Sequence, residues 1–239
     1  MGVYLYPSWV ETELKNIYIG EVSWWKPNPN RTLLYYKFDN NLLDSSGNGN
    51  NWTGSWTLTY TLFSWSSTDY MLNSSNWAVA TPITQWWAFN HAFTLSAWFK
   101  KNSTATLQRL FKYLSNYSLD IQYEFYNDFS GVQWYMEYQA TPRLAFPMAN
   151  PWQWVWKHLV FTWDGVNQIK CYIDWTEVQP YSSYNPTFNY DAPTDRAFTI
   201  LCSEDSTAMS TDEIILENVT WSSSEVSDYF NANKSKYWL

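Results

Sequence analysis

Asp120 and Glu124 are the acidic pair in this sequence whose arrangement most resembles acid/base machinery. They lie four residues apart in an apolar-alternating run, so both fall on one face of a predicted strand. At ~3.3 Å per residue they stand roughly 13 Å apart, whereas glycosidases hold two carboxylates about 5–9 Å apart. His91 and His158 have no acid or nucleophile motif beside them. The sequence therefore predicts no enzyme, and Asp120 and Glu124 are interpreted as solvated strand residues.

Aromatic side chains offer a second kind of chemistry, because their faces stack on sugar rings. The chain contains 18 Trp, 19 Tyr and 13 Phe among 239 residues. Trp86 and Trp87, with Tyr181 and Tyr184 from a polar loop, are the candidate glycan-binding residues. A role as ordinary core or contact aromatics fits these four residues at least as well.

Short apolar-alternating runs must position any such site, and they recur between clusters of Asn, Ser, Asp and Pro. In the run at 92–100, Phe93, Leu95, Ala97 and Phe99 share one face, which is the period-two pattern of a strand. The clearest predicted strands are 32–38, 92–100, 118–125, 132–139, 155–163, 168–174, 196–202 and 212–219.

One helix is predicted near the end of the chain. Ser222 and Glu225 have the spacing of a capping box, and Val226, Tyr229 and Phe230 follow at helical spacing. Many strands at regular spacing, without helical crossovers between them, predict an all-β fold: an antiparallel jelly-roll sandwich with a short C-terminal helix.

Composition excludes several classes of protein. The net charge of -8 and the pI of about 4.7 argue against nucleic acid, which requires a basic stripe. No stretch approaches the ~18 apolar residues of a membrane span. The start of the chain lacks a basic region followed by an apolar run, so no secretory signal is predicted. Cys171 and Cys202 lie in strand-like contexts, and buried free thiols are favoured over a disulfide.

Four ordered motifs resemble the laminin-G-like, concanavalin A-like jelly rolls. Tyr35–Asn51, which reads YYKFDNNLLDSSGNGNN, resembles the opening strand and loop of that family. Phe93–Lys100 resembles the next strand of the family. Trp156–Gly165, followed by Cys171–Asp174, resembles its W-x-H strand and the hairpin after it. Asp212-Glu-Ile resembles the closing strand. The resemblance implies the fold; it implies little about function, because lectins, adhesion modules, enzyme appendages and virion proteins share this fold.

The same resemblance implies a structural Ca²⁺, because the opening loop of the family often holds one. Asp44, Asn48 and Asn50 offer oxygen ligands in that loop, and Asp212 is placed to complete the set from the last strand. Two carboxylates with carbonyls and water would suffice for six to eight ligands. The alternative is an Asp-Ser-Ser-Gly-Asn-Gly turn whose side chains only cap its own backbone.

Tryptophan is distributed unusually, since there are 18 Trp and only 7 Gly. Seven of the tryptophans follow Asn, Asp or Ser, where turns usually place glycine: Trp9, Trp24, Trp52, Trp56, Trp65, Trp77 and Trp175. A type I′ turn through Asp174-Trp175 would need φ > 0 at both positions, straining Trp175 by roughly 1–2 kcal/mol.

This distribution supports a hypothesis of codon reassignment, in which many of these positions are UGA codons decoded as glycine in the source. Family positions support Trp98, Trp156 and Trp163 as true tryptophans. Glycine at the other fifteen would bring the glycine content close to the usual ~7%. The rival interpretation is a sugar-binding surface rich in tryptophan.

The function predicted is a non-enzymatic virion structural or receptor-binding protein, on a tail or capsid, that attaches to a surface or glycan. Residues 1–30 are predicted to form a docking segment and linker to other virion or surface proteins, and 31–239 to form the jelly roll. A homo-oligomer at the virion surface or outside cells is expected. The alternative is a bacterial cell-surface adhesin or lectin module, and a glycoside hydrolase is a distant third.

Overall fold

The computed structural model describes the backbone and side chains of residues 28, 30–52, 58–64, 66–73, 91–102, 154–179 and 209–239. It describes the backbone alone of residues 74, 79–80, 111–113, 120–122, 132–137, 144–148 and 198–200. Glu124, Cys202 and the four predicted glycan-binding residues Trp86, Trp87, Tyr181 and Tyr184 lie outside the described residues, as do 1–27 of the predicted docking segment.

The described residues form an antiparallel β-structure with one α-helix near the C-terminus, which confirms the predicted fold class. The strands in chain order are β1 Thr32–Tyr36, β2 Leu58–Leu62, β3 Tyr70–Ser74, β4 Val79–Ala80, β5 Phe93–Lys101, β6 Phe111–Tyr113, β7 Asp120–Gln122, β8 Val132–Glu137, β9 Leu144–Met148, β10 Trp156–Trp163, β11 Ile169–Ile173, β12 Thr176–Val178, β13 Phe198–Ile200 and β14 Met209–Glu217. Helix α1 spans Ser223–Asn233, and a 3₁₀ turn follows over Lys234–Tyr237.

An eight-stranded sheet dominates the described residues. Its strands follow the order β12-β11-β10-β5-β14-β3-β2, and β1 also pairs with β14. Strand β14 pairs with two different strands along its length. Met209–Thr211 pairs with β3, and Ile214–Glu217 pairs with β1. Two smaller sheets have the orders β4-β13-β6 and β7-β8-β9.

One face of the eight-stranded sheet, the inner face, packs into the main apolar core. Phe93, Leu95, Ala97 and Phe99 of β5 are all buried in it, as the alternation in the sequence predicts. The neighbouring strand β10 adds Leu159, Phe161 and Trp163, and Trp52 reaches the same core from the loop before β2. The inner face is therefore stabilised by burial of aliphatic and aromatic surface.

The opposite face of the sheet, the outer face, is covered by the C-terminal helix. The predicted capping box is present, since the Ser222 hydroxyl accepts from Glu225 N and the Glu225 carboxylate accepts from Ser222 N. Helix α1 then buries Val226, Tyr229 and Phe230 against the sheet. Because this face is also buried, Thr94, Ser96 and Trp98 of β5 are as inaccessible to water as their apolar neighbours.

A β-bulge interrupts β14 where it passes the middle of β5. Asp212 pairs with Trp98 and Ile215 pairs with Ser96, so β14 has one extra residue between these pairs. Glu213, within the bulge, has a left-handed φ of 47°. The bulge thus brings two consecutive acidic residues into the layer between the sheet and the C-terminal helix, where both are buried.

The hairpin between β11 and β12 differs from the geometry that the sequence suggests. Its two-residue turn places the left-handed φ of 57° on Asp174, and Trp175 is not among the residues with positive φ. The predicted backbone strain at Trp175 was therefore wrong, because a short Asp tolerates the left-handed conformation that a Trp resists. Positive φ falls instead on Trp154 at 65° and on Trp238 at 61°.

Two other features bear on the chemistry of the chain. Cys171 is a buried free thiol on β11, as predicted, and burial raises the pKa of this thiol. Neither helix in the described part of the chain has the length and apolar character needed to cross a bilayer.

Candidate functional site

The loop that follows β1 is built around the Asp44 carboxylate. Oδ1 accepts from the backbone N–H groups of Tyr35 and Ser46 at 3.0 and 2.9 Å. Oδ2 accepts from the Ser46 hydroxyl at 2.7 Å and from Asn50 N at 3.0 Å. Four protein donors therefore converge on one carboxylate, which is the self-capping arrangement of a polar turn.

Asn48 and Asn50 tie this loop to β1 through their side-chain amides. Asn48 Nδ2 donates to the carbonyl oxygen of Thr32 at 2.7 Å, and Asn50 Nδ2 donates to that of Leu33 at 2.9 Å. Gly47 and Gly49 have φ of 91° and 73°, which is the left-handed conformation that glycine adopts without steric cost. The side chains predicted as calcium ligands thus hold the loop closed.

Asp212 belongs to a different cluster, between β14 and the C-terminal residues. Its Oδ2 accepts from the Tyr237 hydroxyl at 2.8 Å and lies 2.9 Å from the Lys236 ammonium. Lys236 also pairs with Glu213 at 3.2 Å, and the Tyr229 hydroxyl donates to Glu213 at 2.6 Å. Burial raises the pKa of Asp212 to about 7, while Lys236 opposes that shift. The nearby carboxylates raise the pKa of Lys236, so its charge is retained.

These contacts do not suit one shared calcium ion. The Asp44 carboxylate is surrounded by N–H and O–H donors, and the Asp212 carboxylate already has a cation beside it in Lys236. Across the residues described here, no three His, Cys, Asp or Glu side chains converge to hold a metal ion. Calcium binding stays a prediction, and no step of a mechanism is assigned to it.

His158 is a structural residue of the outer face. Its Nε2 lies 2.8 Å from the Ser96 hydroxyl, and its ring stacks on Trp98 with centroids 4.8 Å apart. Burial lowers the pKa of His158 to about 3, so the ring is neutral near pH 7. Both Ser96 and His158 are inaccessible to solvent. This Ser-His contact therefore has no route to a substrate, although its spacing would suit an activated nucleophile.

Three tryptophans are exposed in the described residues and are candidate contacts for a ligand. Trp154 is 66% exposed, Trp175 is 52% exposed and Trp238 is 71% exposed. Trp175 packs on Phe230 with centroids 4.9 Å apart, and the Lys234 ammonium lies 6.0 Å from its ring. Neither Trp154 nor Trp238 stands in a sequence motif, so exposure alone identifies them.

The exposed Trp154 and Trp238 flank a buried aromatic cluster. Trp156 and Tyr237, close to them in sequence, have ring centroids 5.0 Å apart, and both contact Phe63. The Lys100 ammonium lies 5.2 Å from the Trp156 ring centre. All three rings of this cluster are buried, so they stabilise the fold and do not themselves present a binding face.

Comparison with known proteins agrees with this geometry. The sequence matches the concanavalin A-like lectin/glucanases superfamily over residues 72–227. The chain belongs to this superfamily. The match covers more than half of the chain and includes β5, β10, β11, β12, β14 and the end of β3, which form most of the eight-stranded sheet.

Solved structures with the same fold include domains of an extracellular arabinanase and of toxins. Domain 4 of AbnA, an extracellular arabinanase from Geobacillus stearothermophilus, was solved with arabinotriose; it has a TM-score of 0.63 and 18% identity, and the match covers 83% of this chain and 98% of that domain. The binding domain of Paraclostridial Mosquitocidal Protein 1 has a TM-score of 0.65 and 13% identity, with 85% and 52% covered. The receptor-binding domain of botulinum neurotoxin type G has a TM-score of 0.62 and 12% identity, with 84% and 51% covered.

These likenesses show the fold. The chain spans about half the length of the two toxin domains, so it corresponds to one part of each. No curated protein sequence matches this chain. The family match establishes the lectin-like fold. Which ligand this fold binds depends on the residues exposed on the surface of this chain.

Proposed function

We propose that this chain is a non-enzymatic virion structural or receptor-binding protein whose jelly roll attaches to a surface or a glycan. The observation that carries the attachment role is the combination of a lectin-like fold with the exposed Trp175, whose ring has the Lys234 ammonium beside it. The structures of similar fold include a carbohydrate-bound enzyme domain and toxin receptor-binding domains. Attachment at the virion surface or outside cells is the role we assign.

A non-catalytic role is supported by the state of the acidic groups. Asp212 and Glu213 are buried and paired with Lys236, which removes them from proton transfer to a substrate. A hydrolysis screen that found glycoside turnover would contradict this part of the proposal.

Glycan binding is tested with Trp175, the exposed ring that has a cation beside it. We expect Trp175→Ala to weaken binding to the glycan that the intact protein selects on an array, because the stacking face is lost. Stacking of a nucleic-acid base on an aromatic side chain contributes about 1–3 kcal/mol to binding. Loss of a sugar contact of similar area should weaken binding by at most that much. Val166→Ala, at an exposed position in another turn, is the matched control. Equal binding by both variants would remove Trp175 from the site.

The virion role depends on residues 1–30 as the docking segment. The first described residues form a turn in which Arg31 N and Thr32 N donate to Asn28 O, and Arg31 pairs with Glu217 at 3.0 Å. These contacts anchor the chain at the start of β1, which supports a boundary near residue 30 between the docking segment and the jelly roll. Deleting 1–30 should leave the jelly roll folded and abolish incorporation into particles. Loss of folding would mean that the segment belongs to the core.

The alternative is a bacterial cell-surface adhesin or lectin module, which the same fold would serve. Genes beside this one separate the two classes. Terminase, portal or tail genes support the virion protein, whereas a sortase gene or an upstream secretion signal supports the adhesin.

Codon reassignment is a separate part of the proposal. Trp154 and Trp238 combine exposure with positive φ, a conformation that glycine adopts freely and a bulky residue rarely does. Trp52 and Trp221 favour genuine tryptophan, because both are buried and Trp221 Nε1 donates to Glu217 at 2.6 Å. We therefore propose that glycine is decoded at 154 and 238 in the source.

The mass of the protein purified from its natural source tests this part directly. We expect a mass lower than that of the 18-Trp sequence, with peptide spectra placing Gly at 154 and 238. Agreement with all 18 tryptophans would overturn the reassignment and would strengthen the case for a tryptophan-rich binding surface.

A further inference from the structure

An exposed aromatic ring lies where the turn between β11 and β12 meets the C-terminal helix. Trp175 occupies that turn and is 52% exposed. Its ring packs on Phe230 of α1 with centroids 4.9 Å apart, and Phe230 is buried in the outer-face cluster. Because a buried ring in a close-packed core moves little, Phe230 restricts the movement of Trp175. The exposed surface of Trp175 is therefore partly ordered before any ligand arrives, which lowers the entropic cost of binding.

The ammonium group of Lys234 is held beside this ring by a short chain of hydrogen bonds. Lys234 Nζ donates to Asn231 Oδ1 at 2.8 Å, and Asn231 Nδ2 donates to the carbonyl oxygen of Ser227 at 2.9 Å. The ammonium lies 6.0 Å from the centre of the Trp175 ring. An ammonium group has three donors, so Lys234 can donate to a further acceptor beside the ring.

Lys234 differs from the lysines of the adjacent hairpin because it has no carboxylate partner. Lys157 is paired with Asp174 at 2.6 Å, and Lys170 is paired with Glu177 at 3.1 Å. Among the residues whose side chains the structure describes, no Asp or Glu lies within ion-pair distance of Lys234. An anionic group that approached Trp175 would therefore meet a cation without a counterion, and hairpin carboxylates that are already neutralised.

We propose that Trp175 and Lys234 together bind an acidic sugar. The sugar ring stacks on Trp175, and its anionic substituent accepts a hydrogen bond from the Lys234 ammonium. This inference rests on the glycan-binding part of the function proposed above and names the class of glycan. A neutral sugar would gain only the stacking contact, whereas an acidic sugar adds a charge-assisted hydrogen bond, which is stronger than a neutral one.

A single ammonium group in an acidic protein suits one anionic substituent better than a polyanion. The chain has a net charge of -8, whereas nucleic acids and long sulfated polysaccharides require a row of unpaired cations. The two lysines of the adjacent hairpin, Lys157 and Lys170, are already paired with carboxylates. The site therefore fits a short sugar whose carboxylate or sulfate group reaches Lys234.

Sugar binding by the full chain tests the proposal, with each acidic sugar measured beside its neutral parent. The probes are sialyllactose and sulfated lactose against lactose, and galacturonic acid oligomers against galactose oligomers. They are first compared on an array with other glycans and then titrated by calorimetry. We expect the intact protein to prefer an acidic sugar by roughly tenfold. The probe that gives this preference shows whether a sialic acid, a sulfate or a uronic acid supplies the anionic group.

Variants separate the contribution of charge from that of stacking. Lys234→Met should abolish the preference for the acidic sugar and leave the affinity for its neutral parent almost unchanged. Lys234→Arg should keep most of the preference, because the charge is retained. Trp175→Ala should weaken the binding of both sugars by a similar factor. A purely structural role for Lys234 would not change the preference between the two sugars.

Lys37→Met is the matched control, because the Lys37 ammonium lies 5.7 Å from the ring of Tyr35, which is buried. It has the same net charge as Lys234→Met and should keep the preference, and circular dichroism checks that every variant is folded. Equal affinity for acidic and neutral sugars, or a preference that survives in Lys234→Met, would overturn the proposal and leave glycan binding standing. Tighter binding of heparin than of any short acidic sugar would also overturn it. An array on which no glycan binds would contradict glycan binding itself.

Discussion

The two faces of the eight-stranded sheet are both buried, but they are stabilised in different ways. On the inner face, Leu95, Phe161 and their neighbours contribute apolar area, which depends little on direction. On the outer face, Trp98 stacks on Tyr237 with centroids 3.9 Å apart, beside the pairing of Lys236 with Asp212. A polar group is buried there only because a specific partner meets it. The helix that covers the outer face is therefore held by directional contacts, which can be removed one at a time.

The largest expected effect is on the inner face. Phe161→Ala should lower the free energy of unfolding by about 3–5 kcal/mol, because Phe161 is 1% exposed and its removal leaves a cavity. Phe161→Leu keeps most of the volume and should cost roughly 1.5 kcal/mol or less. Urea unfolding at pH 7 measures both. A cost below that of the leucine variant would mean that the inner core rearranges to fill the space.

The outer face should respond most strongly to Lys236. Lys236→Met leaves Asp212 and Glu213 buried without their cation, which we expect to cost about 3 kcal/mol. Adding Asp212→Asn should change this cost little, because burial raises the pKa of Asp212 and its carboxyl is protonated once Lys236 is gone. Lys234→Met, which loses a hydrogen bond to Asn231, is the control and should cost less than about 1 kcal/mol. Equal costs for the two lysines would show that charge pairing does not stabilise this face.

Acid should weaken the outer face through His158. Its pKa is about 3 in the folded protein, lowered by burial, and about 6.5 when unfolded. Below pH 6.5 the unfolded state therefore takes up a proton that the folded state does not. Stability from this residue is full above pH 6.5 and falls by roughly 1.4 kcal/mol per pH unit toward pH 3, or about 2 kcal/mol by pH 5.

Relative to His158→Gln, the intact protein should lose this amount of stability toward pH 5, because Asp212, with a pKa raised to about 7, contributes the same opposite slope to both proteins. Urea unfolding at several pH values between 5 and 7.5 makes the comparison. The titratable groups near His158 are Tyr229, which stays neutral in this range, and Asp174, which is paired with Lys157 at 2.6 Å. A stability difference between the intact protein and His158→Gln that does not change with pH would show that His158 is not the responsible group.

The smallest expected effect is that of chelation. Asp44 accepts four hydrogen bonds from its own loop, and Asp212 is paired with Lys236, so excess chelator should leave the melting temperature unchanged. A lower melting temperature, restored by added Ca²⁺, would instead establish the calcium site that the resemblance implies.

Local pattern was sufficient for much of the fold. The alternation at 92–100 predicted β5 within one residue at each end, and the Ser222–Glu225 spacing predicted the start of α1. The candidate site was harder to predict. Asp44 and Asp212 were chosen as oxygen donors, but sequence does not say whether a carboxylate will meet a metal, an ammonium group or a backbone N–H. That depends on which strands and loops lie beside it.

Sequence alone determined the jelly roll and its capped helix, because hydrophobic periodicity and capping act over a few residues. The tertiary structure decided the environment of each polar group. The bulge in β14 placed Asp212 and Glu213 beneath the C-terminal residues, where Lys236 neutralises them. Thr94 and Ser96 alternate with apolar residues in the sequence, yet both are buried on the outer face. Charge pairing and burial join residues distant in the chain, so only the packed fold could assign them.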